Sequence, residues 1–191
     1  MTITQSILYA SILFWLFPIF RQYRGNFFVY FLILALSDPL ALLCVAVFNV
    51  QPTLIHSIAA ILLYYSINTV RQKFKRLWLL NLIIVVSFVI ASLLHLSHLF
   101  LVLIFHFLIL LIFIKKSMIM LYQFGEFNLF YLVLIFYEIT VIINVIVFIS
   151  GTEIGILYHY ITLAFQFLIA IFFTIFREEN ALLRIQLRTF P

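Results

Sequence analysis

Charge is what this chain has least of. Only 9% of its 191 residues are Asp, Glu, Lys or Arg, while 67% are hydrophobic; a soluble domain runs near a quarter charged. That balance excludes a water-soluble globular domain. It excludes a disordered chain as well, whose composition is the reverse. A single cysteine, Cys44, rules out an intrachain disulfide and a metal framework built on cysteines.

What the chain has instead is apolar length. Mean hydropathy is +1.29 and 24 residues are Phe. A helix crossing the ~30 Å hydrocarbon core needs about 20 mostly apolar residues, and the runs read as spans over 3–20, 27–49, 53–70, 77–94, 97–114, 128–150 and 155–176. The 38 residues from Leu77 to Ile114 contain no Lys, Arg, Asp or Glu. As one helix they would extend about 57 Å, nearly twice the core. The stretch must therefore fold back, and His95-Leu96-Ser97-His98 is the natural corner. A membrane β-barrel would show short alternating segments, and these runs are apolar on every face. The expected fold is all-α: a polytopic seven-transmembrane-helix bundle over 1–176, in contact with the lipid bilayer, followed by a short amphipathic tail over 177–191.

The basic residues predict an orientation. Arg21 and Arg24 follow span 1, and Arg71, Lys73, Lys75 and Arg76 follow span 3. Lys115 and Lys116 follow span 5, while Arg177, Arg184 and Arg188 follow span 7. These are all 11 Lys and Arg of the chain, on one side of the bundle. The positive-inside rule makes that side cytoplasmic, with the N-terminus outside and the C-terminus inside. The expected location is a bacterial inner or plasma membrane. Net charge of +5 reflects topology and does not argue for nucleic acid as a partner. The first span lacks a basic region ahead of it and a small-residue cleavage site, so it reads as a retained helix. The longest loop, 115–127, is too short to hold a soluble domain.

Ionisable residues at bilayer depth are the default functional candidates, because each is costly to insert. Asp38, followed by Pro39, lies near the middle of span 2, and Glu138 near the middle of span 6. Neither has a basic residue in its own span, so each is expected to carry its proton if shielded from water. Four histidines, His56, His95, His98 and His159, sit near the outer face, and His106 lies deeper. No His-x-x-x-His pair places two ligands on one helical face, so no metal and no cofactor is expected. With a 100° step per residue, His159, Thr162, Gln166 and Ala170 share one stripe of span 7. Ser57, Ala60, Tyr64 and Asn68 share one of span 3. Span 6 carries Tyr137, Thr140 and Asn144 on one side and Glu138 on another. Small and polar residues are the usual helix-contact chemistry in lipid, so spans 3, 6 and 7 are expected to be central and span 1 peripheral. The candidate binding residues are Glu138, Asp38, His159, Gln166, His56, Tyr64 and Asn144.

Retinal chemistry requires a Schiff-base lysine in span 7, and the lysines here all lie in the expected cytoplasmic loops. G-protein-coupled receptors carry Asp-Arg-Tyr at the inner end of span 3, where this chain has Asn68-Thr69-Val70-Arg71. The layout resembles seven-helix sugar carriers built as three plus one plus three helices. An offset of 100 residues pairs Asp38 with Glu138 and Phe48 with Phe148, although the Pro-Gln pair common in those carriers is reversed in Gln51-Pro52. In the tail, Leu182, Leu183, Leu187 and Phe190 share one arc of a helix and Arg184 and Arg188 lie opposite, a pattern suited to a membrane surface or a partner. With no catalytic constellation in sight, the expected function is non-enzymatic. The chain reads as a sensor or receptor-like module, or a membrane subunit, that couples an outer-half polar pocket to a cytoplasmic or membrane protein partner through 177–191. The alternative is a small-solute or proton-coupled transporter using Asp38 and Glu138.

Overall fold

A computed structural model of the chain describes residues 3–69, 77–93, 97–151 and 155–186. Seven helices run through the described residues: α1 (Ile3–Arg21), α2 (Phe28–Phe48), α3 (Pro52–Thr69), α4 (Leu77–Leu93), α5 (His98–Phe124), α6 (Leu129–Ser150) and α7 (Gly155–Ile175). Two short strands, β1 (Glu126–Asn128) and β2 (Arg184–Gln186), pair antiparallel beside them. Of the helices, α2, α5 and α6 are each long and apolar enough to cross a membrane. The protein is an all-α membrane protein.

Local chemistry sets the helix ends. Asn49, Gly125 and Gly151 all adopt left-handed backbone just past α2, α5 and α6, with φ of 53°, 62° and 63°. This conformation is open to Gly and tolerated by Asn, and it ends a helix by turning the chain away. Pro52 opens α3, where its missing N–H costs nothing. The Asn128 side chain accepts from Phe130 N at 2.9 Å and caps α6.

Six of the helices close a ring in the order α1, α2, α3, α5, α6, α7, with α7 returning to α1, and α4 packs outside it against α5. Expectation and structure differ here in two ways. Helix α1 is no peripheral element: it lies along α7 and α2, with Ser11 and Trp15 buried. Helix α5 is central, with Phe105, His106, Ile109 and Phe113 all buried. It is also longer than its expected span of 97–114, running through Phe124 for 27 residues, or about 40 Å. Lys115 and Lys116 do not stop it. The Lys116 ammonium reaches over the Phe27 ring, 5.3 Å from its centre, and Ser117 behind it is buried. Lysine stems can lie along apolar surface while their charge seeks the polar edge.

The tail also departs from expectation. No helix continues past Ile175: the chain turns at Glu178, makes one tight turn over Ala181–Leu183 and extends as β2. Glu178 explains the turn. Its carboxylate accepts from Asn26 Nδ2 at 2.9 Å and from the Tyr131 hydroxyl, and its carbonyl accepts from Asn128 Nδ2 at 3.3 Å. Those contacts pull the chain back to the start of α6, where β1 offers a ladder edge. Leu183 is buried as a result, whereas Leu182 stays exposed. Residues Leu187 and Phe190 of the expected arc lie outside the described residues.

The ends of α1 and α7 fasten each other. The final carbonyls of a helix lack intrahelical partners, and here side chains from the opposite helix end supply them. Gln22 Nε2 donates to Phe173 O at 3.1 Å and Phe176 O at 2.8 Å, and Arg21 Nε donates to Ile175 O at 3.1 Å. In return Arg177 donates to the carbonyls of Arg21 and Tyr23. Gln22 is buried, so Gln22→Leu leaves two carbonyls without a donor. It should cost about 1–3 kcal/mol, read as a lower thermal unfolding midpoint in detergent. An unchanged midpoint would show that the latch does not hold the two helices.

Candidate functional site

The end of the ring formed by the α2–α3 and α6–α7 turns is called the turn end, and the opposite end, which carries Arg21, Arg24, Lys115, Lys116 and Arg177, the basic end. Glu138 sits near the middle of α6 between the two and is fully buried. Its carboxyl is satisfied entirely by protein. The Tyr30 hydroxyl of α2 donates to Oε1 at 2.6 Å, and Nδ1 of His106 in α5 lies 2.7 Å from Oε2. One carboxyl thus ties three helices together. A carboxylate would accept from the Nδ1–H, and a protonated carboxyl would donate to a bare Nδ1; in either form a proton occupies the contact.

Toward the basic end the bundle is filled with aromatic rings. Phe31 and Phe130 pack on Phe173 at 4.8 Å and 5.1 Å between ring centres, and Phe27 packs on Phe130 at 5.5 Å and on Phe113 at 6.0 Å. All five rings are buried. Edge-to-face and tilted packing of this kind is favourable beyond area burial alone, and it fills the interior between α2, α5, α6 and α7 at that end.

Toward the turn end the bundle opens into a cavity of about 420 Å³. Pro52, Thr53, Leu99 and Phe148 line it near the helix ends, and Trp15, His106 and Tyr137 line it at mid-bundle. The cavity therefore runs from one end of the bundle to the His106–Glu138 contact and meets the aromatic filling there. Its size falls within the range of small-molecule pockets.

Four of the seven sequence candidates, Asp38, His56, Asn144 and Gln166, line this one cavity from four different helices. Glu138 lies behind its wall, reached through His106. Tyr64 faces elsewhere: it is buried against Phe105, with ring centres 5.7 Å apart, and is not part of the lining. The side chain of His159 lies outside the described residues. Ser37 beside Asp38 spends its hydroxyl locally, donating to Leu34 O at 2.8 Å.

Sequence reasoning missed the two partners of Glu138. His106 carried a usable signal, being a histidine at depth in one span with an acid at depth in the next. Tyr30 carried none, because Tyr is common in this chain and a hydroxyl partner shows only once α2 and α6 are placed face to face. Trp15 and Tyr137 were missed as lining for the same reason; their rings meet at 5.2 Å on the cavity wall.

The arrangement can bind. It offers a carboxyl, two amides, two imidazoles and two amphipathic rings around a space of ligand size. Among the described residues no three His, Cys, Asp or Glu side chains converge as a metal site would require. Compared with protein-family models, curated proteins and solved structures, the chain has no match.

The geometry ranks two substitutions. Glu138→Gln can still accept from Tyr30 through its carbonyl and donate to His106 through its amide. Glu138→Leu leaves a buried hydroxyl and an imidazole nitrogen unpaired, each at a cost of about 1–3 kcal/mol. Thermal unfolding in detergent should place Glu138→Gln near wild type and Glu138→Leu well below it. Equal midpoints for the two variants would show that hydrogen bonding at Glu138 does not hold the helices.

Proposed function

We infer that the protein is a non-enzymatic, receptor-like membrane module that reads a small ligand in the cavity and signals its occupancy to the opposite face. In this reading all seven helices span the bilayer, the N-terminus is outside and the C-terminus is cytoplasmic. The observation that carries it is the one-ended cavity, which extends to a buried carboxyl linking three helices and is stopped by packed aromatics. A pore or an open carrier state would need a path through those rings. The turn end lies opposite Arg21, Arg24, Lys115, Lys116, Arg177 and Arg184, so the positive-inside rule turns the cavity outward.

The route for a signal is physical contact. A ligand against His106 bears on Glu138 and through it on Tyr30 of α2. Tyr30 meets Phe31 edge to face, and Phe31 packs on Phe173 of α7. Helix α7 leads to the Glu178 turn and the β1–β2 pair at the basic end. Leu182 and Ile185 are exposed there, next to Arg184, and offer a surface for a cytoplasmic or membrane partner. A shift in packing needs differential contact in two states, and a buried contact between three helices supplies the place for it.

One observation favours a second reading, the small-solute or proton-coupled carrier. With α4 outside the ring, α1–α3 and α5–α7 form two groups of three, and the middle helix of each carries a mid-span acid, Asp38 or Glu138. Carriers alternate access to a central site, which separates the two readings by experiment. In a Cys44→Ser background, Ser37→Cys places a thiol in the cavity wall. A membrane-impermeant maleimide should label it in intact cells and leave it unlabelled in inverted vesicles. Labelling from both faces would favour the carrier, and labelling only in inverted vesicles would reverse the orientation.

A further inference from the structure

The chemistry of the cavity wall selects a class of ligand. Asp38 contributes a carboxyl to the lining, and no Lys or Arg among the described residues lines the cavity. Among the described residues Asp38 makes no hydrogen bond, and its electrostatic neighbours within the bundle are His56 and Tyr137, both also on the wall. Glu138 differs in this respect, since both of its oxygens are engaged. An anionic ligand would meet a carboxyl with no guanidinium or ammonium to offset it. A neutral ligand would leave that carboxyl to its own proton or to His56, whereas an ammonium pairs with the carboxylate directly in a region where charge is costly to leave alone.

The aromatic pair adds a second, independent preference. Trp15 of α1 and Tyr137 of α6 stand together on the wall, ring centres 5.2 Å apart and planes inclined at 59°. The face of an indole or phenol ring carries negative quadrupole potential and attracts a cation, indole most strongly, and more so where water is excluded. Asp38 lies ten residues from the end of α2 at Phe48, or ~15 Å of helix rise, so its charge is well below the turn end. The amides of Asn144 and Gln166 complete the lining with groups that can accept from an N–H.

We propose that the cavity binds a small organic ammonium ion, its charge set between the Asp38 carboxylate and the Trp15–Tyr137 rings and its apolar body against the aliphatic and phenyl lining. The proposal rests on the reading of this cavity as a ligand site and names the ligand's chemistry. The ammonium supplies Asp38 with a full positive charge, which no Lys or Arg among the described lining residues provides. Leu34, Leu63, Val102 and Phe148 provide the apolar wall, and about 420 Å³ accommodates a ligand of one ring and a short chain.

Three probes of nearly equal size differ mainly in charge: 2-phenylethylammonium, 2-phenylethanol and phenylacetate. The chain has two tryptophans, so in a Trp78→Phe background the fluorescence reports on Trp15 alone. The ammonium should change Trp15 fluorescence saturably and raise the thermal unfolding midpoint of the full chain in detergent. The alcohol and the carboxylate should require at least tenfold higher concentration. Asp38→Asn should weaken the ammonium at least tenfold and Asp38→Glu should retain most of the affinity. Trp15→Leu, read by unfolding, should weaken it several-fold.

Equal response to all three probes, or undiminished ammonium affinity in Asp38→Asn, would overturn the proposal. If Asp38→Asn does not fold, the charge series on the unaltered Asp38 decides by itself, since a carboxylate binding as well as the ammonium is incompatible with the site. The receptor reading fails separately. Ammonium binding together with Ser37→Cys labelling from both faces would keep the cation site and assign it to a carrier, whereas one-face labelling with no charge preference would keep the receptor and discard the cation.

Discussion

A carboxyl group in the middle of a membrane helix must be satisfied by other protein groups, because lipid offers it nothing. Glu138 meets that demand with Tyr30 on one oxygen and His106 on the other, and the demand organises the bundle. It sets the facing of α2, α5 and α6 at mid-depth. It divides the interior into an aromatic half below and a cavity above. The same constraint acts again at the basic end, where carbonyls of α1 and α7 are answered by Gln22, Arg21 and Arg177 of the opposite helix. Apolar contact alone gives little preference among helices whose surroundings are as apolar as their own side chains. Directed polar contacts therefore decide which helices face each other and at what height.

From this follows the division of labour along the bundle. Close-packed Phe rings make the basic end stiff, and interiors packed to this density transmit displacement instead of absorbing it. The turn end is lined by groups able to recognise a ligand. Between them lies one contact holding a proton, to which α2, α5 and α6 all contribute. The tail is held to this assembly by Glu178 and by β1, so the segment after α7 is fastened to the start of α6. A ligand-reading module needs these parts in this order, which is why the one-ended cavity weighs more in the functional reading than any single residue.

Much of the helical layout is legible in the sequence because hydrocarbon imposes a length on every span. The ends of α2, α3, α6 and α7 fall within two residues of those read from apolar runs. Legibility failed where charge was taken as a boundary. Lys115-Lys116 sit inside α5, because a lysine can lie on a helix flank beside an aromatic ring. The tail failed for a different reason: its helical periodicity is real, but Glu178 finds three polar partners contributed by distant parts of the chain. Of the seven candidate binding residues, the structure brings Asp38, His56, Asn144 and Gln166 to one cavity. Which of them touch depends on helix neighbours, and helices apolar on every face carry little information about neighbours. Trp15 and Tyr30 stayed invisible for that reason, as did the inward position of α1, and Tyr137 is legible only as part of a helix-contact stripe.

The central claim is that the His106–Glu138 contact acts as a single unit holding the floor of the cavity. A double-mutant cycle tests it most directly, with unfolding free energies measured for His106→Leu, Glu138→Leu and the double variant in the same detergent. Each single change leaves its partner buried and unsatisfied, so the double variant should cost clearly less than the two single costs added, with a coupling of about 1–3 kcal/mol. Costs that add to within about 0.5 kcal/mol would mean the two side chains do not act together, and the account of the bundle built on their contact would fall.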